Sequence, residues 1–159
     1  MNNQKFANEK EKTQRKKIKE LTELTDYIAI FPDDEYSRTD GYIVNFFTDE
    51  RYSFESKWFG DVKNPRYSTK YNNYQIDYDK LSALEAKSKE EHSKPLLICF
   101  FSNELVVWDI NKCDWKSTKK LVYTNKSGGN YGKYKEWSEQ AYLKLEDAIY
   151  RNPNITPFS

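Results

Sequence analysis

Residues 95–110 place the tightest constraint on what this chain can fold into. Pro95 opens an unbroken apolar run, Leu96-Leu97-Ile98-Cys99-Phe100-Phe101. A strand with one wet face alternates apolar and polar residues, so an unbroken run suits a strand covered on both faces. Ser102-Asn103-Glu104 then turns the chain into Leu105-Val106-Val107-Trp108-Asp109-Ile110, which reads as the second strand of a hairpin. The rest of the chain has to supply the cover.

Two segments suit that task. A helix is expected from about residue 5 to 23, where Phe6, Ile18, Leu21 and Leu24 give a weak apolar stripe. A second helix is expected from about Asn73 to Lys89, with Tyr74, Tyr78, Leu81, Ala83 and Leu84 at helical spacing. Between them, Tyr27 to Phe31 is a short strand ended by Pro32 and Asp33-Asp34-Glu35. A hairpin follows over about 38–59, and residues 60–70 form a loop. Residues 111–135 are polar and basic, with Ser127-Gly128-Gly129-Asn130 as a flexible tip. For Ala141 to Leu145 periodicity leaves two readings open, a last strand or part of a helix over Glu136 to Ile149. Hairpins flanked by helices indicate an α+β fold of α/β-type sandwich form, with a mixed central sheet. The expected organisation is one domain over 1–159, with a core at about 15–110, a basic extension at 111–150 and a loose tail at 151–159.

Composition narrows the chemistry. Of 159 residues, 37% are apolar and 32% charged, so the core must draw on thirteen Tyr, nine Phe and four Trp. A net charge of +1 argues against nucleic-acid binding by bulk charge but leaves room for a local basic groove. Cys99 and Cys113 form no CxxC pair and His92 is the single histidine, which argues against a structural zinc site or a histidine-based triad. No stretch approaches the roughly 18 apolar residues of a membrane span. The N-terminus has no apolar signal core, so an intracellular, cytoplasmic protein is expected.

The candidate chemistry lies on the hairpin at 38–59. Its strands read Tyr42-Ile43-Val44-Asn45-Phe46-Phe47 and Arg51 to Trp58, joined by Thr48-Asp49-Glu50. Alternation puts Glu55 and Lys57 on one face and Phe54, Ser56 and Trp58 on the other. Asp40, fifteen positions before Glu55, falls at the open end of the first strand and so beside Glu55. Two carboxylates and an ammonium at one spot suit Mg²⁺, which takes hard oxygen ligands and keeps several waters. Such an ion lowers the pKa of a bound water and neutralises phosphate charge.

These residues carry a resemblance. Tyr36-Ser37-Arg38-Thr39-Asp40-Gly41-Tyr42, then Phe54-Glu55-Ser56-Lys57, then Tyr74-Gln75 and Lys80-Leu81, followed by the strands at 96–101 and 105–110, resemble the PD-(D/E)XK nuclease superfamily, which includes restriction endonucleases and Holliday junction resolvases. The likeness covers about residues 15–110. Thr39 stands where the motif's name has proline. The resemblance implies an Mg²⁺- or Mn²⁺-dependent hydrolase that cuts phosphodiester bonds, with DNA the expected substrate. It implies Asp40, Glu55 and the Ser56 backbone carbonyl as metal ligands, and Lys57 as the residue that orients or activates water and stabilises charge on the phosphate. Gln75 becomes a further catalytic candidate, expected in the first turn of the second helix, and Glu20 and Glu23 become candidate outer ligands.

Candidate nucleic-acid contacts are Lys63, Arg66 and Lys70 in the loop with Tyr67, then Lys80, Lys119 and Lys120. The C-terminal lysines alternate with Trp115, Tyr123, Tyr131 and Tyr134, a pattern of cations for phosphates and rings for bases. No separate recognition domain is evident, which favours structure-selective or partner-guided cutting. Cutting both strands of a duplex suits a homodimer. Two other readings stand beside the enzyme. One is a catalytically silent member of the same fold that binds nucleic acid or a protein. The other is a phage or mobile-element accessory protein in which Glu55 and Lys57 are a plain surface pair, worth little to stability.

Overall fold

The computed structural model describes residues 3–32, 40–58, 73–101, 104–127 and 133–152. Within them the chain is mixed α+β. Helix α1 (Asn3–Thr22) precedes strands β1 (Tyr27–Ile30), β2 (Gly41–Asn45), β3 (Arg51–Trp58) and β4 (Asn73–Asp77). Helix α2 (Tyr78–Glu90) leads into β5 (Lys94–Phe100) and β6 (Leu105–Asp109), and β7 (Lys120–Ser127), β8 (Lys133–Lys144) and β9 (Tyr150–Asn152) follow. Six strands form one sheet in the order β1-β2-β3-β5-β6-β9, and three form another, β4-β8-β7. β3 and β5 run parallel, whereas β2 and β3 are antiparallel, with Gly41 opposite Phe54. A parallel pair requires a crossover, and α2 lies on that connection. Among the described residues no helix is long and apolar enough to cross a membrane.

The apolar run on β5 is covered on both faces. Leu96, Ile98 and Phe100 join Ile43, Phe54, Leu105, Val107 and Ile18 of α1 in one buried cluster. Leu97 and Cys99 turn the other way, to Val106, Trp108 and the α2 residues Leu81 and Leu84. Strand parity thus divides one continuous run between two cores. Burial pushes the Cys99 thiol far up, so it stays a neutral core side chain.

Two expectations are corrected. Residues 73–77 are a strand, not the start of the second helix. Tyr74 and Ile76 turn to the α2-side core while the segment pairs with β8 along Asn73↔Lys144 to Asp77↔Gln140. That ladder outweighs the helical spacing of Tyr74 and Tyr78, so α2 begins at Tyr78. Residues 111–150 are not an appendage to the core either. Trp115, Ala141, Leu143 and Leu145 are buried in the α2-side core, and the Trp108 indole N–H donates to the Lys144 carbonyl at 2.8 Å. The open question at 141–145 is answered by β8, whose odd residues 141 and 143 face that core. Within the expected tail, Arg151 and Asn152 belong to β9, and Arg151 pairs with the nearly buried Glu104. Residues 128–130 of the expected tip and 153–159 lie outside the described residues.

Gly41 marks the tightest approach near the candidate site. A Cβ there would lie 2.5 Å from the Phe54 ring and 2.6 Å from the Ile30 carbonyl oxygen. The carbonyl is backbone and cannot swing away. Gly41→Ala is therefore expected to destabilise the fold by about 1–3 kcal/mol, the usual range for overpacking, measured as a drop in the urea midpoint without a change in slope.

Candidate active site

Asp40, Glu55, Ser56 and Lys57 come together because β2 and β3 pair antiparallel. The Asp40 N–H donates to the Phe54 carbonyl at 3.2 Å, holding Asp40 at the end of the ladder. Its Oδ2 accepts from the Ser56 N–H at 2.7 Å and from the Ser56 hydroxyl at 3.3 Å. Ser56 Oγ is also 2.9 Å from Gln14 Oε1 on α1. Phe54 and Ser56 thus turn to the α1 side. Glu55 and Lys57 turn to the α2 side, with Lys57 Nζ 3.3 Å from Glu55 Oε1.

α2 closes the other side. A cleft of about 390 Å³ runs between Glu55 and the helix, lined by Lys80, Ala83, Leu84, Lys87 and Glu90. The Lys57 and Lys80 side chains meet there, and Lys80 Nζ lies 3.8 Å from Asp77 Oδ2. The Gln140 amide donates to Asp77 Oδ1 at 2.6 Å and lies 3.4 Å from the Gln75 amide.

The electrostatics of the cluster are uneven. Burial raises the Glu55 carboxyl pKa and the Asp40 charge adds to that, while Lys57 and Lys80 oppose it without cancelling it. For Lys57, burial opposes the charge, but Glu55, the contact with Lys80 and Asp40 together hold the ammonium above its ordinary value. Lys80 is the lysine pushed down, by burial and then by the Lys57 charge. Lys57 is therefore a fixed cation, not a lysine with a depressed pKa that could serve as a free base.

The Glu55 direction fixes a sign. A raised acid binds its proton more tightly when folded, so its ionisation costs stability as pH rises above the ordinary 4.5. In EDTA at pH 7, Glu55→Gln is expected to melt no lower than wild type. Any advantage should vanish near pH 3, well below the ordinary 4.5, where the carboxyl is protonated in both states. Melting curves at the two pH values test this.

Other expected site residues are placed differently. Gln75 lies on β4, not in a helical first turn, and its amide is turned to Gln140. Its link to the cleft runs through Gln140, Asp77 and Lys80. Glu20 is not joined to Asp40 or Glu55 among the described residues. It pairs with Lys17 at 3.8 Å, and α1 covers the opposite face of the sheet from Glu55. On α1 it is Gln14, roughly 9 Å earlier along the helix axis, that hydrogen-bonds to Ser56 of β3. Glu23 follows the end of α1 in an exposed turn. Lys63, Arg66, Tyr67 and Lys70 lie outside the described residues.

Lys119 is engaged by Glu139 at 3.0 Å, and Lys120 lies over the Tyr142 ring at 5.6 Å. Trp115 is buried and offers no face to a base. Asp77 and Gln140 were missed by sequence reading. The segment around Asp77 resembled a helix, and nothing in the spacing tied it to a residue 63 positions away.

The donor set suits a magnesium ion. Asp40 and Glu55 supply hard oxygens, and a cation beside them would offset the burial and the Asp40 charge that raise the Glu55 pKa. Among the described residues no group of three or more His, Cys, Asp or Glu is gathered, so water would complete the shell. No family model, curated protein or solved structure matches this chain.

Proposed function

We propose that this chain is a magnesium-dependent nuclease of the PD-(D/E)XK type, hydrolysing phosphodiester bonds, with DNA the expected substrate. One observation carries the reading. The antiparallel pairing of β2 and β3 sets the Asp40 carboxylate against Ser56 while Glu55 and Lys57 share the adjoining face at 3.3 Å. The element order supports it: α1, β1 to β3, then α2 and β5 parallel to β3, with each helix contributing to a different core.

Asp40, Glu55 and the Ser56 carbonyl would hold the ion. The ion supplies Lewis-acid polarisation of the phosphate and a more acidic water. Lys57 donates to the attacking water or a phosphate oxygen and offsets charge that grows in the transition state. Lys80, beside it, adds a second donor toward the phosphate. Like charges brought together at Lys57 and Lys80 suit an anion between them.

A silent, binding-only version of the fold has one observation in its favour: the hydrogen bonds that hold Asp40 to Ser56 require no metal. Incubating purified protein with plasmid, single-stranded DNA and structured RNA, in Mg²⁺, Mn²⁺ or EDTA, separates the readings. Metal-dependent cutting of any substrate supports the nuclease. Salt-sensitive binding without cutting supports the silent form. Neither outcome leaves only a structural charged pair.

The C-terminal lysines should differ in their contribution to binding. Lys120→Ala is expected to lower the slope of log Kobs against log salt by about one phosphate contact. Lys119→Ala should change it far less, because Glu139 competes for that ammonium. Filter binding at four salt concentrations checks both.

A further inference from the structure

We propose that the β7–β8 arm is a stacking platform for unpaired nucleobases, formed by Tyr123 and Trp137 with Lys135 beside them. It rests on the reading that the chain acts on nucleic acid, and it narrows the substrate to single-stranded or locally unpaired strands.

Tyr123 and Trp137 face each other across the β7–β8 ladder. Their ring centroids are 5.3 Å apart and the planes differ by 35°. Tyr123 is 54% exposed and Trp137 65%, and Leu121 beside them is 62% exposed. By strand parity these residues share a face with Ala141 and Leu143, which are buried in the α2-side core. The same face is thus core at Ala141 and Leu143 and bare at Trp137 and Tyr123. Large aromatic rings left bare at such a place suit a partner that brings flat apolar faces of its own.

Charge selects among partners. Among the described residues, strand parity places Lys135 and Glu139 on the ring-bearing face, while Lys120, Glu136 and Lys144 fall on the opposite face. Glu139 is already engaged by Lys119, and Lys135 Nζ lies 5.9 Å from the Tyr123 ring centroid. Rings for bases with cations for phosphates is the arrangement that binds single strands with little sequence preference. A duplex presents no open base faces, so it gains nothing from the rings.

Position links the platform to the cleft. Trp137 lies three residues before Gln140, which donates to Asp77 beside Lys80. At strand rise that is roughly 10 Å. Residues three apart point to opposite faces, so the platform flanks the cleft instead of lining it.

The test is a tryptophan-fluorescence titration of the full chain in EDTA, with an oligothymidine, an oligouridine of equal length and a DNA duplex. Trp108 and Trp115 are buried and Trp58 is half-buried beside Lys57, so the part of the quench that disappears in Trp137→Ala is the part assigned to Trp137. Expected results are quenching by the single strands, weaker quenching by the duplex, and affinity for single strands, read for wild type and variants alike by anisotropy of labelled oligonucleotides, reduced roughly 10–100-fold in Trp137→Ala and in Tyr123→Ala. The salt slope should not change, since phosphate contacts remain. The two single strands decide between DNA and RNA as the source of the bases. Both replaced residues are exposed, and unchanged melting curves confirm intact folding. Equal affinity for duplex and single strand, or unaltered binding in both variants, overturns the proposal. So does a shift from dimer to monomer in Trp137→Ala with nucleic-acid binding intact, which assigns the face to a second copy of the chain. Cleavage by wild type is scored separately in Mg²⁺. Quenching without cutting sinks the nuclease and keeps the platform, and cutting without quenching does the reverse.

Discussion

Lys57→Ala is expected to reduce metal-dependent cleavage by roughly 10²–10³-fold, the scale of losing one preorganised donor to developing charge. Substrate affinity should change only a few-fold, because an interaction made mainly in the transition state affects rate more than ground-state binding. Two features of the structure set this expectation. Lys57 is paired with Glu55 at 3.3 Å, so its position is defined before substrate arrives. Its ammonium is held charged by the surrounding carboxylates. Lys57→Arg is not expected to restore activity, since the broader guanidinium cannot take the same point position. Lys80→Ala is the control within the same cleft. It removes a donor one step further from the carboxylates and should cost less. Equal losses from Lys57→Ala and Lys80→Ala in single-turnover assays would remove the special role given to Lys57.

The second large effect is thermal. A cation that binds only the folded chain stabilises it by about 2.7 kcal/mol when its free concentration is 100 times Kd. For a domain of this size that is a rise in Tm of roughly 5–11 °C. Wild type should show such a rise on addition of Mg²⁺ or Mn²⁺ to metal-free protein. Asp40→Asn should keep its metal-free Tm, because the amide oxygen can still accept the Ser56 N–H that Asp40 accepts at 2.7 Å. It should lose most of the metal-induced rise. Glu55→Gln should also lose the rise, from a starting Tm no lower than wild type. Equal rises in wild type and both variants, read by scanning calorimetry, would show that the ion binds elsewhere.

Much of the frame was legible in the residues. Leu96 to Phe101 required cover on both faces, and parity in β5 delivers it, Leu96 and Ile98 to one core and Leu97 and Cys99 to the other. Alternation along 51–58 put Glu55 and Lys57 on one face, and the antiparallel pairing of β2 with β3 sets Asp40 against Ser56. These features depend on period-2 geometry and a short connection, which are local and written in neighbouring residues.

What the sequence could not decide was anything set by contacts between distant segments. Residues 73–77 carry helical spacing, yet they form β4 because β8, more than sixty residues later, offers a ladder and a core face. That moved Gln75 out of a helix start and brought Asp77 and Gln140 toward the cleft. Ala141 to Leu145 fit strand or helix until Trp108 and α2 supplied the surface they cover. Glu20 had a fitting charge, but α1 packs on the sheet face away from Glu55 and presents Gln14 to β3 instead. The sign of the lysine shifts was equally hidden. Which of two lysines shifts up and which down depends on burial and on the charges around each, and only tertiary packing brought Lys80 against Lys57. Local periodicity determined the strands and the pairing of the acidic motif. Long-range pairing decided which side chains complete the cleft, because burial and charge there are shared among segments whose sequences carry no record of one another.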